Sequence, residues 1–127
     1  MSLIIGAFLG LFSVGFGAYS EHGLKPKITD EEFRFLMTAI RYNQINSAMI
    51  CILGFALNNK GPYYQLSSLM WSTKLFIIGA VLFSFSIYAS VVFGIPELTY
   101  ATPVGGTILM IAWFLLLIAG VKAHKTL

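Results

Sequence analysis

Residues 98–121 read LTYATPVGGTILMIAWFLLLIAGV and contain no charged side chain. A helix of about 20 mainly apolar residues is long enough to cross the hydrocarbon core of a bilayer, which is ~30 Å thick. Two further charge-free stretches, residues 75–96 and residues 1–20, meet the same length. Residues 42–59 are also charge-free but begin with the polar sequence Tyr-Asn-Gln. The sequence therefore predicts four membrane-spanning helices.

The composition of the whole chain points to the same class of protein. Of its 127 residues, 57% are hydrophobic and 10% are charged, whereas an ordinary soluble domain has roughly 25% charged residues. Such a chain cannot cover its surface with polar groups in water. We therefore expect one domain over residues 1–127, an all-α integral membrane protein with four transmembrane helices in an antiparallel bundle. A disordered tail, a disulfide-stapled secreted module and an ordinary cytosolic enzyme are excluded.

Local signals at the ends of these stretches place the helix boundaries. Thr29 and Glu32 fit a capping box, in which each side chain accepts a hydrogen bond from the other residue's backbone N–H. The run Asn58-Asn59-Lys60-Gly61-Pro62 interrupts any helix, and Gly94-Ile95-Pro96 does the same later in the chain. Thr102, which precedes a proline, is typical of an N-cap. We expect helices over approximately residues 2–20, 30–57, 72–94 and 102–123.

The distribution of charge bears on partners and orientation. The eight Lys and Arg residues are scattered through the connections rather than clustered on one face. A nucleic-acid interface requires such a cluster, so we expect the lipid bilayer, and no nucleic acid, as the partner of this surface. The positive-inside rule is nearly balanced, with half of the eight basic residues on each side of the predicted membrane. We favour a bacterial cytoplasmic membrane with both termini in the cytoplasm.

The second apolar stretch begins with a polar patch over residues 41–47. An unsatisfied polar group in hydrocarbon is costly, so this patch should face other helices or a wet cavity. Ser84 and Tyr88 lie four residues apart in the third helix and share one face. They are suitable hydrogen-bond partners for the asparagine side chains of the second helix. The patch indicates either interhelical hydrogen bonds or a polar pocket and proton path.

Glu21 and His22 place an acid beside a histidine in the first connection. An acid next to a histidine can tune a proton carrier. The alternative is an ordinary helix end at the membrane surface, with Gly23 just after the last turn. We expect Arg41 to reach the headgroups or to pair with Glu21 or Glu97.

The residues able to carry chemistry form one candidate polar functional cluster. A zinc site requires three or four ligands, and His22 and His124 lie on opposite sides of the predicted membrane. We therefore expect no catalytic residue, no metal site and no cofactor. The candidate cluster comprises Glu21, His22, Arg41, Tyr42, Asn43, Asn46, Ser84, Tyr88 and Thr102.

Four short motifs occur in order along nearly the whole chain. They are His22-Gly23-Leu24-Lys25, Thr38-Ala39 with Tyr42, Phe83-Ser84 with Ser86 and Tyr88, and Thr102-Pro103-Val104-Gly105-Gly106 followed by Trp113. This set resembles the YgdD/YwdK-like small membrane proteins, a family of unknown function that includes transmembrane protein 256. Asn46-Ser47 departs from the family's His-Ala, and Ser20 and Glu21 replace its usual small residues. The resemblance implies a four-helix integral membrane protein without an established activity.

Three classes of function are compatible with these residues. A non-catalytic accessory or scaffold subunit of a membrane assembly fits the glycine-rich helices and the polar but uncharged interior. A small homo-oligomeric transporter or channel is the alternative. A membrane enzyme using Glu21 and His22 has the weakest support. A polar path from helices two and three would be lined by Asn43, Asn46, Ser84, Tyr88 and Thr102.

Overall fold

The computed structural model describes residues 1–58 and 67–126, and all regular structure in these two ranges is helical. The breaker residues predicted at 59–62 lie outside the described residues. The α-helices are α1 (Ser2–Tyr19), α2 (Asp30–Asn58), α3 (Ser67–Ala80), α4 (Ser86–Val92) and α5 (Thr102–Thr126). A π-helical turn, Ser20–Leu24, follows α1, and a second one, Val81–Phe85, joins α3 to α4. Two 3₁₀ turns, Lys25–Lys27 and Pro96–Ala101, complete the order.

Three of the described helices are long and apolar enough to cross a membrane: Ser2–Lys27, Ser67–Val92 and Pro96–Lys125. The fourth long helix, α2, has 29 residues, and its first half carries charged and polar side chains. It runs antiparallel to α1, because Gly6 lies against Ile50 while Gly17 lies against Ile40. The expected all-α fold with four long helices is therefore confirmed for the described residues, and three of the four have the length and composition of a membrane span.

The capping box at the start of α2 is present. The Thr29 N–H donates to Glu32 Oε1 at 3.0 Å, and the Glu32 N–H donates to Thr29 Oγ1 at 3.1 Å. These two bonds satisfy N–H groups that have no partner within a helix. They fix the point at which the chain turns from the first connection into α2.

The third helix begins earlier than its expected range of 72–94, since the chain is already helical at Ser67. Polar residues at this end hydrogen-bond inside the protein. Ser72 Oγ donates to the Ala112 carbonyl of α5 at 2.8 Å, and Thr73 Oγ1 donates to the Leu69 carbonyl at 2.9 Å. These polar side chains are therefore compatible with a helix that is buried at this end.

The same helix ends at a glycine, as its sequence indicates. Gly94 has φ +67°, a conformation that residues with a Cβ rarely adopt. The Ile95 N–H donates to the Ser90 carbonyl at 3.0 Å, which is the closing bond of a Schellman motif. Gly94 thus ends α4 at Val92 and directs the chain into the 3₁₀ turn before α5.

Two glycine contacts bring helix backbones close together. A Cβ added at Gly54 would lie 2.8 Å from the Leu3 backbone nitrogen, at the crossing of α1 and α2. A Cβ added at Gly105 would lie 2.5 Å from the Phe83 backbone nitrogen. Small residues at helix crossings permit this approach in membrane proteins. The second contact seats the π-helical turn Val81–Phe85 directly on α5.

Candidate functional site

An interhelical hydrogen bond lies at the centre of the predicted cluster. Asn43 Nδ2 of α2 donates to the Tyr88 hydroxyl of α4 at 2.9 Å. The two side chains are 1% and 4% exposed. Ser47 Oγ lies 3.1 Å from Asn43 Oδ1 and also donates to the Asn43 backbone carbonyl. The polar atoms of this pair are therefore satisfied within the protein, as a hydrocarbon environment requires.

Aromatic rings surround the Tyr88 end of this bond. The ring centroids of Phe16 and Tyr88 are 4.5 Å apart, and those of Phe85 and Tyr88 are 5.4 Å apart. Phe12 is the third neighbour, with a centroid distance of 5.8 Å. The rings of Phe12 and Phe16 pack against the Tyr88 ring and so connect α1 to α4.

Two further hydroxyl groups of the cluster connect helices. Ser84 lies in the π-helical turn Val81–Phe85 and donates through Oγ to the Ala39 carbonyl of α2 at 3.1 Å. Ser86 Oγ and Thr102 Oγ1 are 2.6 Å apart and share a hydrogen bond between α4 and α5. A π turn inserts into an α-helix and changes the register of the side chains that follow it. The turn therefore helps to set which residues of α4 face α2 and α5.

The predicted N-cap at Thr102 is wrong. Thr102 has helical dihedral angles, φ −61° and ψ −47°, because the 3₁₀ turn Pro96–Ala101 leads directly into α5. Its hydroxyl forms the hydrogen bond to Ser86 instead of capping the first turn. Thr102 thus belongs to the contact between helices.

Asn46 has a different environment from Asn43. It is 2% exposed, yet its Nδ2 atom has no hydrogen-bond partner. Its side chain lines a cavity of about 300 Å³ between α2, the π-helical turn and α5. Tyr42, Phe83 and Trp113 also line this cavity. Asn46 and Tyr42 therefore share a cavity, whereas Asn43, Ser84 and Tyr88 take part in helix packing.

Sequence reasoning did not assign Phe83 and Trp113 to this region. A signal exists on α5, because Gly106, Leu109 and Trp113 have spacings of three and four residues and so share one helix face. That periodicity alone does not show which helix the face meets. The structure adds that Trp113 packs edge-on against Phe76, with ring centroids 5.0 Å apart.

Glu21 and His22 lie apart from this network, exposed in the π-helical turn Ser20–Leu24. Glu21 Oε2 is 3.8 Å from Lys25 Nζ, so its charge is paired along its own helix rather than with Arg41. Arg41 is exposed, in agreement with a side chain that reaches the headgroups. Of the alternatives for Arg41, an ion pair with Glu21 or Glu97 is therefore not formed among the described residues, whereas an exposed side chain agrees with the headgroup position.

The expected helix end at Gly23 is also wrong. Helical structure continues through Leu24, and Gly94 is the glycine with positive φ among the described residues. Gly23 instead packs under the ring of Tyr19, since a Cβ at Gly23 would lie 2.8 Å from Tyr19 Cε1. No group of three His, Cys, Asp or Glu side chains that could hold a metal ion occurs within residues 1–58 and 67–126.

Comparison with known proteins identifies relatives along nearly the whole chain. The model of the family described as "Protein of unknown function (DUF423)" matches residues 16–106. The UPF0382 membrane protein YwdK of Bacillus subtilis is 32% identical over 120 residues, covering 94% of this chain and 95% of YwdK. The UPF0382 inner membrane protein YgdD of Escherichia coli K12 is 27% identical over 123 residues, covering 97% of this chain and 91% of YgdD.

A relative from Staphylococcus aureus, the UPF0382 membrane protein SAB0533, is 31% identical over 120 residues and 94% of each chain. No solved structure matches the chain. The expected resemblance to YgdD and YwdK is confirmed, and the three apolar helices agree with the membrane location in the relatives' names. The chain therefore belongs to the DUF423 family and is a multi-pass integral membrane protein.

Proposed function

We propose that this chain is a non-catalytic accessory or scaffold subunit of a membrane assembly. The observation that supports this function best is the hydrogen bond between Asn43 and Tyr88. Together with the bond from Ser84 to the Ala39 carbonyl, it joins polar side chains of the predicted path to another helix rather than leaving them to face an open path. Polar groups that are bonded to one another stabilise a bundle and offer few sites to a solute.

The outer face of α1 is suited to contact with a helix of a partner protein. Phe8 and Leu11 are exposed there, and Gly15 follows Leu11 by one turn. A Cβ added at Gly15 would meet no atom within 4 Å, so packing inside the subunit does not require this glycine. An open glycine allows the backbone of a second membrane helix to approach closely. We assign this face to a helix of another membrane protein.

Site-specific photo-crosslinking tests this surface in cells. A photoreactive side chain at position 11 should capture one membrane protein of defined mass. Gly15→Leu should reduce the yield of this product because it blocks the approach of the partner, and Val14→Leu, which adds one methylene group at the neighbouring exposed position, should reduce the yield less. Capture of a second copy of this chain, or equal yields in both variants, would contradict a scaffold that binds a different protein.

A small transporter or channel is the second candidate, and Asn46 is the residue that favours it. Its buried Nδ2 atom lacks a hydrogen-bond partner, unlike that of Asn43. Liposomes containing the wild-type protein or Asn46→Leu distinguish the two functions. A change of solute flux in folded protein supports a path, whereas absence of flux in both proteins supports the scaffold.

The proposal also includes the membrane that contains the chain and the orientation of the chain in it. The relative from Escherichia coli is named an inner membrane protein, which supports a bacterial cytoplasmic membrane for this chain. The proposed orientation has both termini in the cytoplasm. Cysteine labelling of the two ends of the chain in intact cells and in inverted vesicles tests it, and labelling from outside intact cells would reverse it.

A further inference from the structure

The cavity beside Asn46 is lined by three separate elements and is open on its outer side, where Tyr42 and Trp113 are exposed. Tyr42 and Asn46 contribute from α2, Phe83 from the π-helical turn Val81–Phe85, and Trp113 from α5. Tyr42 and Phe83 pack edge to face with ring centroids 5.0 Å apart. The volume of about 300 Å³ lies at the small end of the range for small-molecule pockets, ~300–1,000 Å³. The space therefore suits one ring-sized molecule surrounded mainly by apolar and aromatic side chains.

The Asn46 carboxamide is the polar group of this wall that lacks a partner. It is 2% exposed, and its Nδ2 atom has no hydrogen bond. Its neighbours on the helix, Asn43 and Ser47, bond to each other, and Asn43 also bonds to Tyr88. A buried amide without a partner is unfavourable. The Cβ–Cγ torsion of asparagine is broad, so the carboxamide can present its N–H to an acceptor in the cavity that it lines.

The position of the cavity in the bilayer limits which molecules can bring a hydrogen-bond acceptor to Asn46. Along α2, about 8 Å of helix separates Asn46 from Arg41, whose side chain reaches the headgroups, and about 18 Å separates Asn46 from Asn58. Trp113 lies close to the middle of α5, about 17 Å from Thr102. The ester carbonyls of phospholipids lie near the headgroups, at the edges of the ~30 Å hydrocarbon core. This depth favours an acceptor on a molecule that dissolves within the hydrocarbon core over the ester carbonyl of a phospholipid.

We propose that this cavity binds a lipid-soluble quinone through a ring carbonyl. The carbonyl oxygen accepts a hydrogen bond from Asn46 Nδ2, and the quinone ring packs against Phe83 and Trp113. Aromatic side chains favour offset and edge-on contacts with planar rings. The Asn46 amide, with the Tyr42 hydroxyl also in the wall of a mostly apolar pocket, matches a ligand that has ring carbonyls and an otherwise apolar body. This binding site is independent of whether the chain acts as a scaffold.

Trp113 provides a direct optical probe. The chain contains two tryptophans, and the second, Trp71, is exposed near the start of α3 and does not line the cavity. The variant Trp71→Phe, purified in lipid nanodiscs, leaves Trp113 as its one tryptophan. Titration with a short-chain benzoquinone should quench the fluorescence of Trp113 in a saturable manner. Quenching that rises linearly without saturation would overturn the proposal, because it reports partition of the quinone into the lipid.

Second substitutions in the Trp71→Phe protein connect the signal to the cavity. Asn46→Leu keeps the branching and the number of non-hydrogen side-chain atoms but removes the donor, and should raise Kd about tenfold. Gly106→Val fills the cavity from α5, where a Cβ has room at 3.7 Å from Phe83 Cδ2, and should also raise Kd. Gln44→Leu, an exposed amide on α2 that does not line this cavity, is the matched control and should leave Kd unchanged.

Each outcome decides the assignment. Equal Kd values in the Trp71→Phe protein and in Asn46→Leu would overturn the hydrogen bond. If Asn46→Leu does not fold, the comparison of Gly106→Val with Gln44→Leu decides, and equal Kd values there overturn the site. Competition by methyl laurate as effective as that by the quinone would assign the cavity to a lipid ester and overturn the ring-carbonyl ligand.

Discussion

Asn43 and Tyr88, 45 residues apart in the chain, are joined by a buried hydrogen bond of 2.9 Å between α2 and α4. The bond connects the polar patch of α2 with the third predicted helix. Its surroundings are the rings of Phe12, Phe16 and Phe85. Because both polar groups are buried, loss of one leaves the other without a partner.

Tyr88→Phe removes the hydroxyl and leaves Asn43 Nδ2 unpaired. We expect the free energy of unfolding in detergent to fall by about 1–2 kcal/mol. Tyr100→Phe is the control, since Tyr100 is exposed and its substitution should change stability by less than about 0.5 kcal/mol. Reversible unfolding by a denaturing detergent measures both, and equal effects would contradict a stabilising role for the bond.

Gly105→Ala introduces a Cβ that would lie 2.5 Å from the Phe83 backbone nitrogen. Backbone atoms cannot move aside as a flexible side chain can, so we expect destabilisation of about 1–3 kcal/mol. Gly120→Ala makes the same change on the same helix, where no atom lies within 4 Å. It should be neutral or stabilise by up to about 1 kcal/mol through helix propensity. Thermal unfolding of both variants measures whether Gly105→Ala lowers the melting temperature while Gly120→Ala leaves it unchanged or raises it. Similar melting temperatures would contradict the close contact between Gly105 and Phe83.

Thr102→Val removes the hydroxyl that bonds Ser86 and keeps the shape of the side chain. We expect a loss of about 1 kcal/mol, because the bond joins α4 and α5 in an apolar environment. Thr107→Val is the control, since the exposed Thr107 hydroxyl bonds the Pro103 carbonyl of its own helix. A double-mutant cycle with Ser86→Ala measures the coupling, and a coupling energy near zero would contradict a direct bond.

Thr29→Ala removes one half of the capping box at the start of α2. The loss should cost about 1 kcal/mol and increase hydrogen exchange at the amides of Glu32 and Phe33. Thr38→Ala, within the same helix, should leave that exchange unchanged, because the Thr38 hydroxyl bonds the Arg34 carbonyl and not a helix end. Exchange measured by mass spectrometry separates the two, and unchanged protection in Thr29→Ala would contradict the cap.

Much of the fold follows from local sequence. Charge-free runs predict the apolar helices, and the spacing of Thr29 and Glu32 predicts the start of α2 because both partners of the cap lie within one turn. The spacing of Ser84 and Tyr88 likewise indicates a polar face directed at α2. These features depend on residues that are close in sequence, so the amino-acid sequence alone is sufficient to identify them.

The remaining features depend on contacts between distant residues. The π-helical turn at Val81–Phe85 packs on Gly105, and the sequence around it does not show that contact. Ser72 is the expected start of the third helix, and its bond to the Ala112 carbonyl shows that this end is buried against α5. The cavity at Asn46 arises from the register of three helices. No pattern within one helix determines that register.

Native mass spectrometry tests the proposed scaffold function most directly. The chain would be tagged at its endogenous level, extracted from the membrane in mild detergent and analysed without further separation of its partners. A scaffold subunit should co-isolate with other membrane proteins in one assembly of fixed stoichiometry. A homo-oligomer or monomer without any partner would contradict this account.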